Sequence, residues 1–137
     1  TNRLRISSEK RQDMTMTEEP ILRTVPMPGD INTNGHIFGG WVLSQMDIAG
    51  GIIAHRRAGS AVATVAIESM HFIAPILLGD IISIYGHVER TGRTSIAVSL
   101  RVIATRGRKQ LQVPVTSGVF TFVALDKEHK PKPLPEV

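Results

Sequence analysis

Asp47 is the only carboxylate in an otherwise apolar stretch running from Trp41 to about His55. A helix apolar on most sides belongs in an interior, and a carboxylate there is costly unless it is paired or put to use. Helical spacing sets Ser44, Asp47 and Gly51 on one stripe, a polar seam with Gly50 and Gly51 leaving room beside it. Asp47 can therefore be a hydrogen-bonded group across a subunit interface, or a general base or nucleophile. Just upstream lies Asn34-Gly35-His36-Ile37-Phe38-Gly39-Gly40. Gly39 and Gly40 fall where the first amides of a helix point outward without partners, suited to an oxyanion; they also simply permit a tight turn. His36, in the loop that feeds the helix, is either a solvated side chain or one that faces a ligand. Thr91-Gly92-Arg93-Thr94-Ser95 offers a cation, hydroxyls and free amides, either to a phosphate or as a plain hairpin turn.

Other chemistries have no footing. The 137 residues include no cysteine, which excludes structural disulfides and thiolate zinc sites. His55, His71, His87 and His129 lack metal-ligand spacing, so no metal is expected. Neither a G-x-S-x-G elbow nor a phosphate-binding glycine loop occurs. The net charge of +4 suits a small phosphorylated ligand, or is simply a soluble surface with slightly more Lys and Arg. Nucleic acid is the other candidate, against which aromatics are only 4% and the basic residues are scattered.

The elements that must position these residues follow from periodicity. Residues 1–19 read as a flexible polar arm without an apolar signal core, and no run is long enough to span a membrane, so a cytoplasmic protein is expected. Ile21 to Met27 is a strand candidate, and the helix runs from Gly40 or Trp41 to about His55, ending before Gly59. The period then changes to two over Val62–Ile73, Ile81–Arg90, Thr94–Thr105 and Val113–Leu125. Ile96, Val98, Leu100, Val102 and Ala104 alternate onto one face. Residues 130–137, rich in Pro and Lys, read as an extended, frayed tail. The outcome is one α+β domain over 20–129, a long antiparallel sheet of about five strands wrapped round one central helix. A single helix leaves sheet face and edges uncovered, so an oligomer is expected.

Several motifs agree in order with one family. Asn32-x-x-Gly35-x-x-Phe38-Gly39-Gly40-Trp41-x-x-Ser44-Gln45-Met46-Asp47, then Val65-x-x-Glu68-Ser69-Met70-x-Phe72 and Pro75-x-x-x-Gly79-Asp80, resemble the YciA-type acyl-CoA thioesterases over about residues 20–126. The resemblance implies a hotdog fold, dimers assembling as hexamers (trimers of dimers), and hydrolysis of acyl-CoA to free acid and CoA without metal or cofactor. It places the catalytic carboxylate on Asp47 and the carbonyl-binding turn on Gly39 and Gly40, and Asn34 and His36 complete the catalytic set, His36 orienting the water or the substrate. It assigns CoA contacts to Ser44, Ser69, Phe72, Arg93, Thr94 and Ser95. Such relatives often carry Asp or Asn where this chain has His36, which changes what that position can donate or accept. Two rivals share the scaffold: a non-enzymatic acyl-CoA sensor, and a hydroxyacyl thioester dehydratase using His36 with Asp47. Thiol release, saturable binding without turnover, or an unsaturated product separates the three.

Overall fold

The computed structural model describes residues 18–137, and all but the end of the expected N-terminal arm lies outside them. A short strand β1 (Leu22–Thr24) and one 3-10 turn lead into helix α1 (Gly39–Ala58). Four long strands follow: β2 (Val62–Phe72), β3 (Ile81–Thr91), β4 (Ser95–Arg106) and β5 (Leu111–Ala124). They form one five-stranded sheet in the order β1-β3-β4-β5-β2, with every neighbouring pair antiparallel. β1 is shorter than the expected Ile21–Met27, because Pro26 and Pro28 have no N–H to continue the ladder. Pro114 of β5 sits opposite Ile103 beside a register shift, where a bulge relaxes the demand for its missing donor.

The expected core face of β4 is buried throughout, and Val42, Met46, Ala49, Ile53 and Ala54 of α1 pack with it. Their alternating spacing of three and four residues is one helical face. The opposite face, with Ser44, Asp47 and Ile48, is exposed, Ile48 to 49%. The helix is therefore half covered by its own sheet, and the polar seam of Ser44 and Asp47 lies on the face its own sheet leaves open. The helix ends at Ala58, three residues beyond His55, and is capped by Gly59, whose φ of 66° is left-handed and whose amide bonds the His55 carbonyl at 2.8 Å.

Glycines set how closely helix and sheet approach. A Cβ on Gly86 would lie 2.6 Å from Leu100 Cδ2, 2.8 Å from the Ser99 carbonyl and 2.9 Å from Ile53 Cδ1. The backbone oxygen cannot yield as a side chain does, so Gly86→Ala should cost about 2 kcal/mol, read as a lowered urea midpoint with unchanged slope.

β2 is an edge strand, paired only with β5 and interrupted by two register shifts, and Ser69 sits in the second with φ 54°. Val65, Ile67 and Phe72 on it are 45–60% exposed. At the turn before β3, Asp80 is buried. Its Oδ1 accepts from Arg106 Nε (2.8 Å), and its Oδ2 from Arg106 Nη2 (2.7 Å) and the Leu77 amide (2.9 Å).

The tail is extended as expected but it is not frayed. Asp126 Oδ1 accepts the amides of Glu128 and Lys130 and reverses the chain. Pro131, Pro133 and Pro135 have no donor, so the amides between them face the fold: Lys132 bonds the Ala124 carbonyl and Leu134 that of Arg93, both at 2.9 Å. Arg57 Nη1 then reaches the Pro135 carbonyl at 2.8 Å.

Candidate active site

The loop before α1 is organised by Asn32. Its amide bonds the His36 carbonyl at 2.6 Å, and its Oδ1 accepts the amides of Asn34 and His36 at 2.9 and 3.1 Å. Gly35 makes this turn possible, with φ +80°. Asn34 is exposed at the tip, whereas Asn32 and His36 line a hollow of about 280 Å³ together with Gly39, Val42, Phe72 and Thr116. Asn32 was not singled out as a site residue from sequence. The Asn-x-x-Gly spacing that makes it an Asx-turn residue was the available signal.

Phe38 precedes the first turn of α1 and gives it no side-chain cap. Its own amide is taken by the Asp30 carbonyl, and the Trp41 amide turns back to the Phe38 carbonyl at 3.1 Å. The amides of Gly39 and Gly40, as first and second residues, have no intrahelical acceptor, and the helix dipole adds partial positive charge there. Both glycines have ordinary helical backbone, so the reading that they supply turn freedom is corrected: that role belongs to Gly35. A Cβ on Gly40 would meet nothing within 4 Å, and one on Gly39 would stand 3.7 Å from the Phe72 ring. Among the described residues nothing requires glycine at 40, which in a helix is about 1 kcal/mol worse than alanine. The position is exposed and open to an approach from outside.

Asp47 is exposed, and its Oδ1 accepts a 2.5 Å hydrogen bond from Thr64 Oγ1 on β2. Thr64 went unnoticed in the sequence because threonine in a strand is unremarkable; only the fold sets it opposite the carboxylate. Ser44 shares the exposed face and Gly51 is half-buried on the same stripe. Asp47 stands seven residues beyond Gly40, a rise of about 10 Å along the helix. One carbonyl cannot touch both groups of the same protomer.

The other expected contacts divide by position. Phe72 forms the rim of the hollow, and Ser69 is exposed in the β2 bulge. Arg93 is exposed in the β3–β4 turn, with Thr94 and Ser95 half-buried. The Gly92 amide bonds the Ser95 carbonyl at 2.9 Å, and Leu134 and Arg57 tie this turn through the tail to the last turn of α1. The turn thus lies at the far end of a 20-residue helix from Gly39. Among the described residues no helix is long and apolar enough to cross a membrane.

One long helix laid on a curled antiparallel sheet, with its N-terminus bare, defines a hotdog protein. Residues 34–110 match the model of the thioesterase superfamily. The acyl-CoA thioester hydrolase YciA of Salmonella typhimurium is 40% identical over 126 residues, which cover 90% of this chain and 95% of that protein. The hexameric broad-specificity acyl-coenzyme A thioesterase HI0827, in a form with one aspartate replaced by alanine, superposes with a TM-score of 0.83 at 41% identity, over 88% of each chain. The hexameric thioesterase y2039 of Yersinia pestis gives 0.83 at 40% identity, over 88% of this chain and 98% of the other. The chain belongs to the thioesterase superfamily, among the YciA-type acyl-CoA thioester hydrolases.

Proposed function

We propose that the protein hydrolyses acyl-CoA thioesters to the free carboxylic acid and CoA, at sites built across a dimer. The observation that carries this reading is the pairing of an uncapped helix N-terminus at Gly39 and Gly40 with an exposed, threonine-held carboxylate at Asp47. The exposed apolar side chains of β2, with Ile48 on α1, form a self-complementary patch, and the free edge of β2 offers a ladder for a second copy. Docked so, Asp47 of one protomer faces the helix N-terminus of its partner, which resolves the distance of about 10 Å between them within one chain.

The thioester carbonyl lies against the amides of Gly39 and Gly40, which stabilise the oxyanion as it forms. Asp47 takes a proton from water while the oxygen attacks the carbonyl carbon, or attacks directly to give an anhydride that water then opens. Collapse breaks the C–S bond, and the CoA thiolate leaves and is protonated. Thr64 holds the carboxylate in place. CoA is part of substrate and product, so the reaction needs no cofactor or metal. The pantetheine arm runs along the interface past Ser44, Ser69 and Phe72, and the phosphates reach the turn Arg93-Thr94-Ser95. The hexameric state of the two solved relatives supports a trimer of dimers here, and a cysteine-free chain acting on CoA thioesters suits the cytoplasm.

Subunit mixing tests the arrangement. Asp47→Ala and Gly40→Val each remove one half of every site, and valine at 40 has room within its own chain. Each homo-oligomer should be inactive. Refolded together, half the dimers are mixed and each carries one intact site, so thiol release should return to about a quarter of wild type. If the mixture stays inactive while mixed dimers form, the cross-protomer site is wrong.

A further inference from the structure

The hollow beside the helix N-terminus is walled largely by carbon, with Val42, Phe72 and Ile76 among its lining residues. Three side chains with hydrogen-bonding groups interrupt that wall: Asn32, His36 and Thr116, the last only 2% exposed. Asn32 uses its carbonyl oxygen on the amides of Asn34 and His36, which leaves its NH₂ as the outward-acting group. The His36 backbone is pinned on both sides, its amide on Asn32 Oδ1 and its carbonyl on the Asn32 amide. What varies at position 36 is therefore the imidazole, held at the wall by a fixed turn.

Gly39 is part of the same wall. A carbonyl held by the Gly39 and Gly40 amides directs its acyl arm into this hollow. Among the described residues no lysine or arginine lines the space to meet the CoA phosphates, and the pantetheine arm is placed along the interface, which leaves the hollow to the acyl group. A saturated acyl chain filling the hollow would strip water from the imidazole and the amide without replacing their hydrogen bonds. An acyl group bearing a hydroxyl would replace them. A hydroxyl both donates and accepts, so it can pair with the imidazole through whichever ring nitrogen faces it and with the Asn32 NH₂.

We propose that His36 is a specificity-determining residue that selects short 3-hydroxyacyl groups, with its ring hydrogen-bonded to the hydroxyl two carbons from the thioester carbonyl. A hollow of about 280 Å³ lies just under the range that holds drug-sized ligands, which suits a short acyl group. The proposal rests on the reading of Gly39, Gly40 and Asp47 as a thioester-hydrolysing site. His36 acts on substrate choice and takes no part in the bond changes.

Steady-state thiol release from butyryl-CoA and 3-hydroxybutyryl-CoA tests it on the full-length protein. The wild type should favour the hydroxyacyl substrate by about tenfold or more in kcat/KM, since a site built to bond a hydroxyl discriminates against its absence. His36→Leu should bring the ratio to about one, and His36→Gln, which still donates and accepts, should restore part of it. Equal kcat/KM for the two substrates in the wild type overturns the proposal without needing a variant. So does a preference that survives His36→Leu. Absence of thiol release from either substrate and from longer acyl-CoAs overturns the underlying hydrolase reading instead.

Discussion

Asp47→Ala lowers thiol release by about a thousandfold, and CoA still binds the variant within about twofold of wild-type affinity; both are expected results. A thousandfold is about 4 kcal/mol of transition-state stabilisation, within the range of a positioned general base or nucleophile. The expectation follows from where the carboxylate stands. It lies on the open face of α1, where its hydrogen bond comes from Thr64, and the turn proposed to meet the CoA phosphates is at the helix's far end. Removing an exposed carboxylate leaves no buried partner unsatisfied, so the melting temperature should barely move. Asp47→Asn keeps the shape and the contact with Thr64 but cannot take a proton, and it should fall nearly as far. Isothermal titration with CoA and a thiol-trapping assay separate the two quantities. Rapid turnover by either variant would remove Asp47 from the mechanism.

The second large effect is on stability. Asp80→Asn should destabilise the fold by about 3 kcal/mol, because it leaves the Arg106 guanidinium facing an uncharged amide in a site shielded from water. Burial alone would push the Asp80 carboxyl up. The hydrogen bonds from Arg106 and from the Leu77 amide, with the charge of Arg106, overcome it and hold the group below its ordinary 3.8. A carboxyl whose folded-state value is lowered contributes fully above the unfolded value, and that contribution fades as pH falls through the folded one. The gap between wild type and Asp80→Asn should therefore be constant from neutral pH down to about 4 and shrink below it. Urea titrations at pH 7, 5 and 3 measure this. A gap that widened on acidification would contradict the sign.

The alternation of Ile96 to Ala104 made β4 legible, because period-two patterning has one cause, a sheet face against a core. Gly59 closed the helix for an equally local reason. Asp47 stood out in the sequence as a lone carboxylate in an apolar helix, but its surroundings did not. An apolar helix records that both of its faces will be covered, but not by which chain. Trp41, Ile48 and Ile52 look the same in sequence whether their neighbours come from the same protomer or from another. Thr64 and Asn32 escaped for a different reason: their roles exist only once β2 passes Asp47 and the loop folds over the hollow. The tail was misread because Pro-Lys alternation signals an extended chain, and an extended chain can still lie against a fold whose carbonyls are free.

That tail has a kinetic meaning. Arg57 and Pro135 are 78 positions apart in the chain, and their contact fastens the helix C-terminus to the β3–β4 turn through Leu134. β3, β4 and β5 are consecutive hairpins and can pair early from short-range encounters. The clasp cannot form until residues 132–135 have emerged from the ribosome, so on a nascent chain the helix end and the turn wait unfastened while the meander is already zipped. Emergence of residues 132–135 is thus the event that locks this end of the fold.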